Sequence, residues 1–144
     1  MATTSIKQTI ELIESVLTNQ FSNQIVMVNF EKFANTTKAK KYPMVSFYFS
    51  DSGAEIQDNT NVCSLEFEFL DVISGLNEKN ERRKEVISDM FQVATSFVEY
   101  LREESGVLLG YPISITTFDN KYKDGLGGVS FTLNINIARP CLVI

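Results

Sequence analysis

The chain has 144 residues, 44% of them hydrophobic and 22% charged, which is typical of one globular domain spanning residues 1–144. Its net charge of −5 opposes a large contact with nucleic acid phosphates, and the absence of histidine removes the commonest general base and zinc ligand. No run of about 18 apolar residues is present to span a bilayer, and no secretory signal is visible at the N-terminus.

The N-terminal part of the chain predicts a helix, a strand and a polar connector. Residues 5–21 repeat apolar positions every three or four residues, as an amphipathic helix requires. Residues 25–30 are rich in β-branched side chains and predict the first strand. Residues 35–41 contain three lysines that could touch phosphate, but a short charged run is more typical of a solvated loop.

Two further strands are predicted at residues 44–50 and 62–73, separated by a turn at residues 51–60. The apolar residues of the first of these strands share one face, which is expected to point into the core: Val45, Phe47 and Phe49. Aromatic residues on a strand also suggest the base-stacking surface of an RNA-recognition sheet. The neighbouring faces lack the basic residues that such a surface needs, so core packing is the preferred interpretation.

The strand at residues 62–73 predicts one apolar and one acidic side. Cys63 falls on the apolar side, where a buried free thiol is expected, and no disulfide with Cys141 is predicted. Glu66 and Glu68 project together from the other side, an arrangement that glycosidases and metal sites use. Without a histidine or a third ligand nearby, the two carboxylates are expected to face solvent, and no metal or cofactor is predicted.

The next segments predict the longest helix and a fourth strand. Residues 80–104 carry an apolar stripe wide enough to lie across a sheet, and Gly106 ends the helix. Residues 107–112 read as an apolar connector, and residues 113–119 as the fourth strand.

The C-terminal part predicts a shaped loop and the last strand. Residues 119–128 contain three glycines, which permit a turn between two paired strands. Residues 129–137 alternate apolar and polar side chains, as a strand on the surface of a core does. Pro140 ends the pairing, and the apolar residues 141–144 are expected either to pack under a helix of their own chain or to dock on a neighbour.

The elements follow the order α-β-β-β-α-β-β, which predicts an α+β fold: a mostly antiparallel sheet of about five strands, packed by one long helix and an N-terminal helix. In this order the whole chain resembles the tail terminator or tail completion (neck ring) proteins of tailed bacteriophages. Four features carry the resemblance: the N-terminal helix, the strand entry Tyr42-Pro43-Met44-Val45, the acidic strand Leu65-Glu-Phe-Glu-Phe69, and residues 118–128 before the alternating last strand.

The resemblance implies a structural virion protein, not an enzyme, that forms a ring, most often a hexamer, with its sheet facing a channel and its helices outside. The implied partners are further copies of the chain, the tail tube protein and the head-connector protein, with DNA passing only transiently and no membrane. The implied location is the virion tail or neck, after assembly in the host cytoplasm. Glu66 and Glu68 would form an acidic channel wall. The residues expected to contact neighbours are Asn120, Lys121, Tyr122, Lys123, Asp124, Leu142, Val143 and Ile144.

Two other functions stay open at this stage. The aromatic run Phe47-Tyr48-Phe49 is compatible with a ferredoxin-like module that binds nucleic acid or another ligand. A carboxylate enzyme would have to use the few acidic residues on predicted strands and the glycine-rich loop, namely Glu66, Glu68, Asp119 and Asp124.

Overall fold

The structure is a computed structural model, and it describes residues 5–36, 38–57, 60–73, 79–119 and 125–138. These residues form two α-helices, one 3-10 helix and six strands. In chain order the elements are α1 (Ile6–Gln20), β1 (Met27–Asn29), η1 (Phe33–Asn35), β2 (Met44–Ile56), β3 (Thr60–Val72), α2 (Lys79–Glu103), β4 (Leu108–Leu109), β5 (Ile115–Phe118) and β6 (Leu126–Ala138).

Three strands of thirteen residues each, β2, β3 and β6, form the centre of one sheet. They pair antiparallel, whereas β1 pairs with β2 in parallel at one edge. At the other edge, β4 and β5 both pair antiparallel with β6. The predicted α+β class with two α-helices on a sheet of about five strands is therefore confirmed, but the predicted order of elements fits only in part.

Two of the segment predictions were wrong. The turn expected at residues 51–60 is largely strand, because β2 continues through Ile56 and pairs with the start of β3 after a register shift beyond Phe49. The connector expected at residues 107–112 contains β4, which pairs with Ile135 and Asn136. In both places cross-strand pairing overrides a weak local preference. Elsewhere the bounds move by a few residues; β1 and β5 are shorter than expected, and β6 is longer.

The helices cover one face of the sheet. Ser5 caps α1, since its side-chain oxygen accepts from the backbone N–H of Gln8 at 3.0 Å, and the buried residues Ile13 and Leu17 then point at the strands. At the start of α2, Arg82 donates to the backbone oxygen of Val72 and lies 3.2 Å from the carboxylate of Asp71. The end of β3 therefore holds the beginning of α2 against the sheet.

An aromatic stack forms the centre of the helix-covered face. Phe47, Phe67 and Phe131 are register neighbours on the three long strands, and their rings stack at centroid distances of 5.2 and 5.3 Å. Phe97 of α2 closes over Phe67 at 5.5 Å. Phe49, expected in the same core, is instead 46% exposed and packs edge-on against another ring at the margin.

The three glycines of the predicted loop have different roles. Gly125 has a φ of 64°, which suits the turn that was predicted. Gly127 and Gly128 lie inside β6 instead. A Cβ on Gly128 would overlap the backbone carbonyl of Phe69, so this glycine allows β3 and β6 to approach each other closely.

Candidate functional site

The side of the sheet opposite the helices carries polar side chains from all three long strands, and we call it the polar face. Its members, taken from register rows of β2, β3 and β6, are Ser46, Tyr48, Ser64, Glu66, Glu68, Ser130, Thr132 and Asn134. One row places Tyr48 beside Glu66 and Glu66 beside Thr132. In the next row Ser64 Oγ donates to Asn134 Oδ1 at 2.6 Å. The polar face is therefore a hydrogen-bonded surface built from alternate residues of paired strands.

Tyr48 joins the two carboxylates of the polar face. Its hydroxyl can donate its single proton to the carboxylate of either Glu66 or Glu68, and burial together with these negative charges raises the pKa of Tyr48 well above its ordinary value. The phenol therefore stays protonated and remains a donor at every pH below about 10. Sequence periodicity placed Tyr48 on the same side of its strand as Ser46, but only the pairing register shows that it meets the glutamates.

A covering segment closes one end of the polar face. Ser46 donates its hydroxyl to the backbone carbonyl of Glu31, and Lys32 lies over the Tyr48 ring with Nζ 5.5 Å from its centroid. Just beyond, a second small apolar cluster forms under η1, consisting of Phe33, Met44, Leu70 and Leu126. The segment around η1 thus shields the adjoining part of the polar face from water.

The predicted acidic pair is positioned as one surface but is not uniformly exposed. Glu66 and Glu68 do share the polar face, as the alternation indicated. Glu68 is only 3% exposed, so the expectation that both carboxylates face solvent was wrong for this residue, because the covering segment lies over it. Glu66 is half-buried and keeps part of its surface in contact with water. The role of the pair as a channel wall stays a prediction.

The predicted docking residues lie outside the described part of the chain. This applies to every residue from Asn120 to Asp124 and from Leu142 to Ile144. The strands that flank the predicted loop are paired as expected, with Phe118 opposite Gly128. Before the loop, Asp119 Oδ2 lies 2.9 Å from Nε of Arg83 on α2, as an ion pair without the alignment of a hydrogen bond.

Of the four candidate residues of a carboxylate enzyme, only Glu66 and Glu68 are brought together in the part of the chain that the structure describes. Glu66 and Glu68 lie on the polar face, whereas Asp119 points to the helix side of the sheet, where it meets Arg83. Asp124 is outside the described residues. Among the described residues, no group of three or more cysteine, aspartate or glutamate side chains is placed to hold a metal ion.

The predicted cysteine environment is confirmed for Cys63. This residue is 1% exposed in the core and is a free thiol in the described structure. Burial raises the pKa of the thiol, which lowers the fraction of reactive thiolate. Cys63 is therefore a packing residue, and Cys141 lies outside the described residues.

Two grooves at opposite edges of the sheet carry charged residues to which the sequence assigned no partner. The larger, with a volume of about 630 Å³, lies along β1 and is rimmed by Lys38 and Lys41. The smaller, of about 230 Å³, lies between α2 and residues 111–115 and is rimmed by Glu99. The lysines belong to the connector expected to be a solvated loop, and only the sheet order places them and Glu99 at opposite edges.

In comparisons with known proteins, no protein-family model matches the chain and no curated protein matches it. Among the helices that the structure describes, none is both long enough and apolar enough to cross a membrane.

Proposed function

We propose that the chain is a structural virion protein, a ring-forming tail terminator that caps the tail tube and joins it to the head-neck connector. The observation that carries the proposal is the one-sided packing of the sheet. Both α-helices pack on one face, whereas the opposite face carries hydroxyl, amide and carboxylate groups from all three long strands. A ring of such subunits would have helices outside and a polar, acidic inner wall.

The charge of that wall suits a passage for DNA. Glu66 contributes carboxylate surface to the polar face, and the chain as a whole has a net charge of −5. A wall of like charge repels phosphates and so prevents the passing DNA from adhering. One lysine, Lys32, lies over the Tyr48 ring at the covered end of the polar face.

The alternative of a base-stacking module gains no support from the geometry. Phe47 is fully buried in the aromatic stack, and Tyr48 points to the opposite side of the sheet from Phe47 and Phe49. The three aromatic residues therefore do not form one exposed surface on which bases could stack. The order of elements, with α1 first and three strands after α2, also differs from the ferredoxin-like pattern.

The proposal is tested by tube capping. Tail tube protein from the genome that encodes this chain is polymerised with and without the purified chain, and the tubes are measured by negative-stain electron microscopy. We expect rings at one end of the tubes and an arrest of their growth. Tubes that grow to the same length and end bare, at saturating concentrations of the chain, would contradict the proposal.

A separate experiment tests the channel wall. It compares the binding of double-stranded DNA at low salt by the wild-type chain and by single variants. The wild-type chain is expected not to bind, and Glu66→Lys is expected to increase binding because it places a cation on the wall. Asp89→Lys, an equal charge change on the exposed side of α2, serves as the matched control. Equal DNA binding by the two variants would contradict the placement of Glu66 on the channel wall.

A further inference from the structure

The sheet ends in short strands that have a neighbour on one side only within the described residues. At one edge β1 contributes three residues, and at the other β5 contributes four. An edge strand presents unpaired N–H and C=O groups and so provides a template for a further strand. Each edge of this sheet is therefore able to accept one more strand.

The β1 edge is apolar with a positive rim. Its groove is formed by the end of α1, by β1 with the residues before it, and by residues 38–41. Val26, which lines the groove, is 60% exposed although it is β-branched and apolar. Lys38 and Lys41 are exposed, and neither forms an ion pair with another described residue.

The β5 edge carries the complementary charge. Glu99 lines its groove and forms no ion pair with another described residue. Arg102, in the same groove, lies 2.8 Å from Glu103, and the pKa of its guanidinium is raised by that hydrogen bond and by Tyr111. Among the described residues that line this groove, the single cation is thus compensated locally, whereas the Glu99 carboxylate is not. Tyr111 itself is 56% exposed and projects an aromatic ring at this edge.

We propose that the β1 edge of one copy of the chain binds the β5 edge of the next copy, with Lys38 and Lys41 facing Glu99. This proposal rests on the ring-forming function proposed above, and it adds which two surfaces of neighbouring copies are in contact. A symmetric dimer through either edge would set lysine against lysine or glutamate against glutamate, which costs free energy. The head-to-tail contact pairs opposite charges instead, and such contacts generate rings when their rotation closes.

The strand directions favour the same arrangement. β1 runs parallel to β2, and two antiparallel steps through β3 make β6 parallel to both. β5 is antiparallel to β6 and therefore runs opposite to β1. A neighbour that extends the sheet sideways, with its helices on the same face, keeps these directions. The strand pair formed between copies is then antiparallel, which is the more stable of the two ladders.

Charge reversal and mixing test the proposal. Lys38→Glu combined with Lys41→Glu makes both edges negative, and Glu99→Lys makes both edges positive. Each variant alone is expected to self-associate at least about tenfold more weakly than the wild type in size-exclusion chromatography with light scattering, since like charges then face each other. An equimolar mixture is expected to recover association, because each negative edge then meets a positive one.

Matched controls separate the contact from net charge. Lys7→Glu combined with Lys84→Glu changes the net charge as much as the double lysine variant, and Asp89→Lys as much as Glu99→Lys, all on exposed helical positions. Both controls are expected to associate like the wild type. Far-UV circular dichroism checks that every variant is folded.

Cross-linking identifies the contact directly. A zero-length carbodiimide is applied to a mixture of isotopically light and heavy wild-type chains, and the products that join one light and one heavy peptide are sequenced. Isopeptide bonds from Lys38 or Lys41 to Glu99 are expected. A chain that remains monomeric at high micromolar concentration, variants that do not complement, or cross-links at other positions only would overturn the proposal.

These outcomes are distinct from a failure of the proposed function. Self-association through other surfaces, together with capped tubes, would leave the tail-terminator proposal standing and remove the edge contact. Charge-reversed variants that restore association when mixed, from a chain that does not cap tubes, would support the edge contact and contradict the tail-terminator proposal.

Discussion

The two faces of the sheet are built by alternate residues of the same strands, yet they are packed in different ways. On the helix-covered face, Phe47, Phe67 and Phe131 are stacked and almost fully buried. On the polar face, the neighbouring positions Tyr48, Glu66 and Thr132 keep part of their surface in water, and Tyr48 is hydrogen-bonded to a carboxylate. The difference indicates that most of the core lies on the helix-covered face, which leaves the part of the polar face beyond the covering segment able to carry charge for a function.

The largest effect is expected for Phe67→Ala, at the centre of the aromatic stack. This change removes a ring that contacts three others and leaves a cavity that the sheet cannot close. The free energy of unfolding, measured with denaturant, is expected to fall by about 3–5 kcal/mol. Thr132→Ala, on the polar face of the adjacent strand, is the matched control and is expected to cost less than about 1 kcal/mol. Equal losses of unfolding free energy in the two variants would show that the two faces contribute equally to stability.

A smaller but still large effect is expected at the start of β6, where this strand approaches β3 most closely. Gly128→Ala would place a methyl group against the backbone carbonyl of Phe69, which cannot move without breaking the ladder between β3 and β6. Gly127→Ala is the control, since its methyl group would lie 2.5 Å from the end of the flexible Ile73 side chain. In thermal unfolding, Gly128→Ala is expected to cost about 3 kcal/mol or more, and Gly127→Ala clearly less. The reverse order would contradict the close-approach role of Gly128.

The polar face is expected to contribute a moderate, pH-dependent part of the stability through Tyr48. Tyr48→Phe removes the hydroxyl that Glu66 and Glu68 share and is expected to cost about 1–2 kcal/mol at neutral pH. In the wild type the pKa of Tyr48 is raised, so above about pH 10 the unfolded chain loses a proton that the folded chain retains. This contribution is therefore present below about pH 10 and is lost as the pH rises further.

Denaturant titrations at neutral pH and above about pH 10 check the sign of that linkage. The wild type is expected to lose more stability between the two conditions than Tyr48→Phe does. The difference in unfolding free energy between the wild type and this variant therefore narrows as the pH rises. A difference that stays constant with pH would mean that the Tyr48 hydroxyl has the same pKa in the folded and unfolded chains, and a difference that widens would mean that folding lowers this pKa; either result would contradict the prediction.

The helix-covered face was largely predictable because it depends on local periodicity. The alternation in residues 129–137 and the stripe in residues 80–104 identify which side chains are buried, and β6 and α2 bury those side chains. Phe49 and Phe91 are exceptions, each 46% exposed, and the strand of Phe49 extends past the area that the helices cover. Periodicity states which side of a strand is apolar but not where the covering layer ends.

The polar face was less predictable because its environment depends on contacts between distant segments. Glu68 is buried by residues near η1, which precede it by more than thirty positions, and the Ser46 contact with Glu31 spans fifteen. Residues 51–56 have the composition of a turn and become strand only because β3 lies beside them. The charged edge residues Lys38, Lys41 and Glu99 likewise required the strand order. Nothing in a local pattern identifies such partners.

The smallest effect on stability is expected for Glu66→Gln, and it makes the sharpest comparison between the faces. Glutamine keeps an oxygen that can accept from the Tyr48 hydroxyl, and the side chain is only half-buried, so the free energy of unfolding is expected to change by less than about 0.5 kcal/mol. A loss above about 1 kcal/mol would mean that this charge stabilises the fold. An unchanged stability combined with increased retention of DNA by the assembled ring would instead assign the charge to the channel. The carboxylate would then be present on this strand for its effect on DNA rather than for folding.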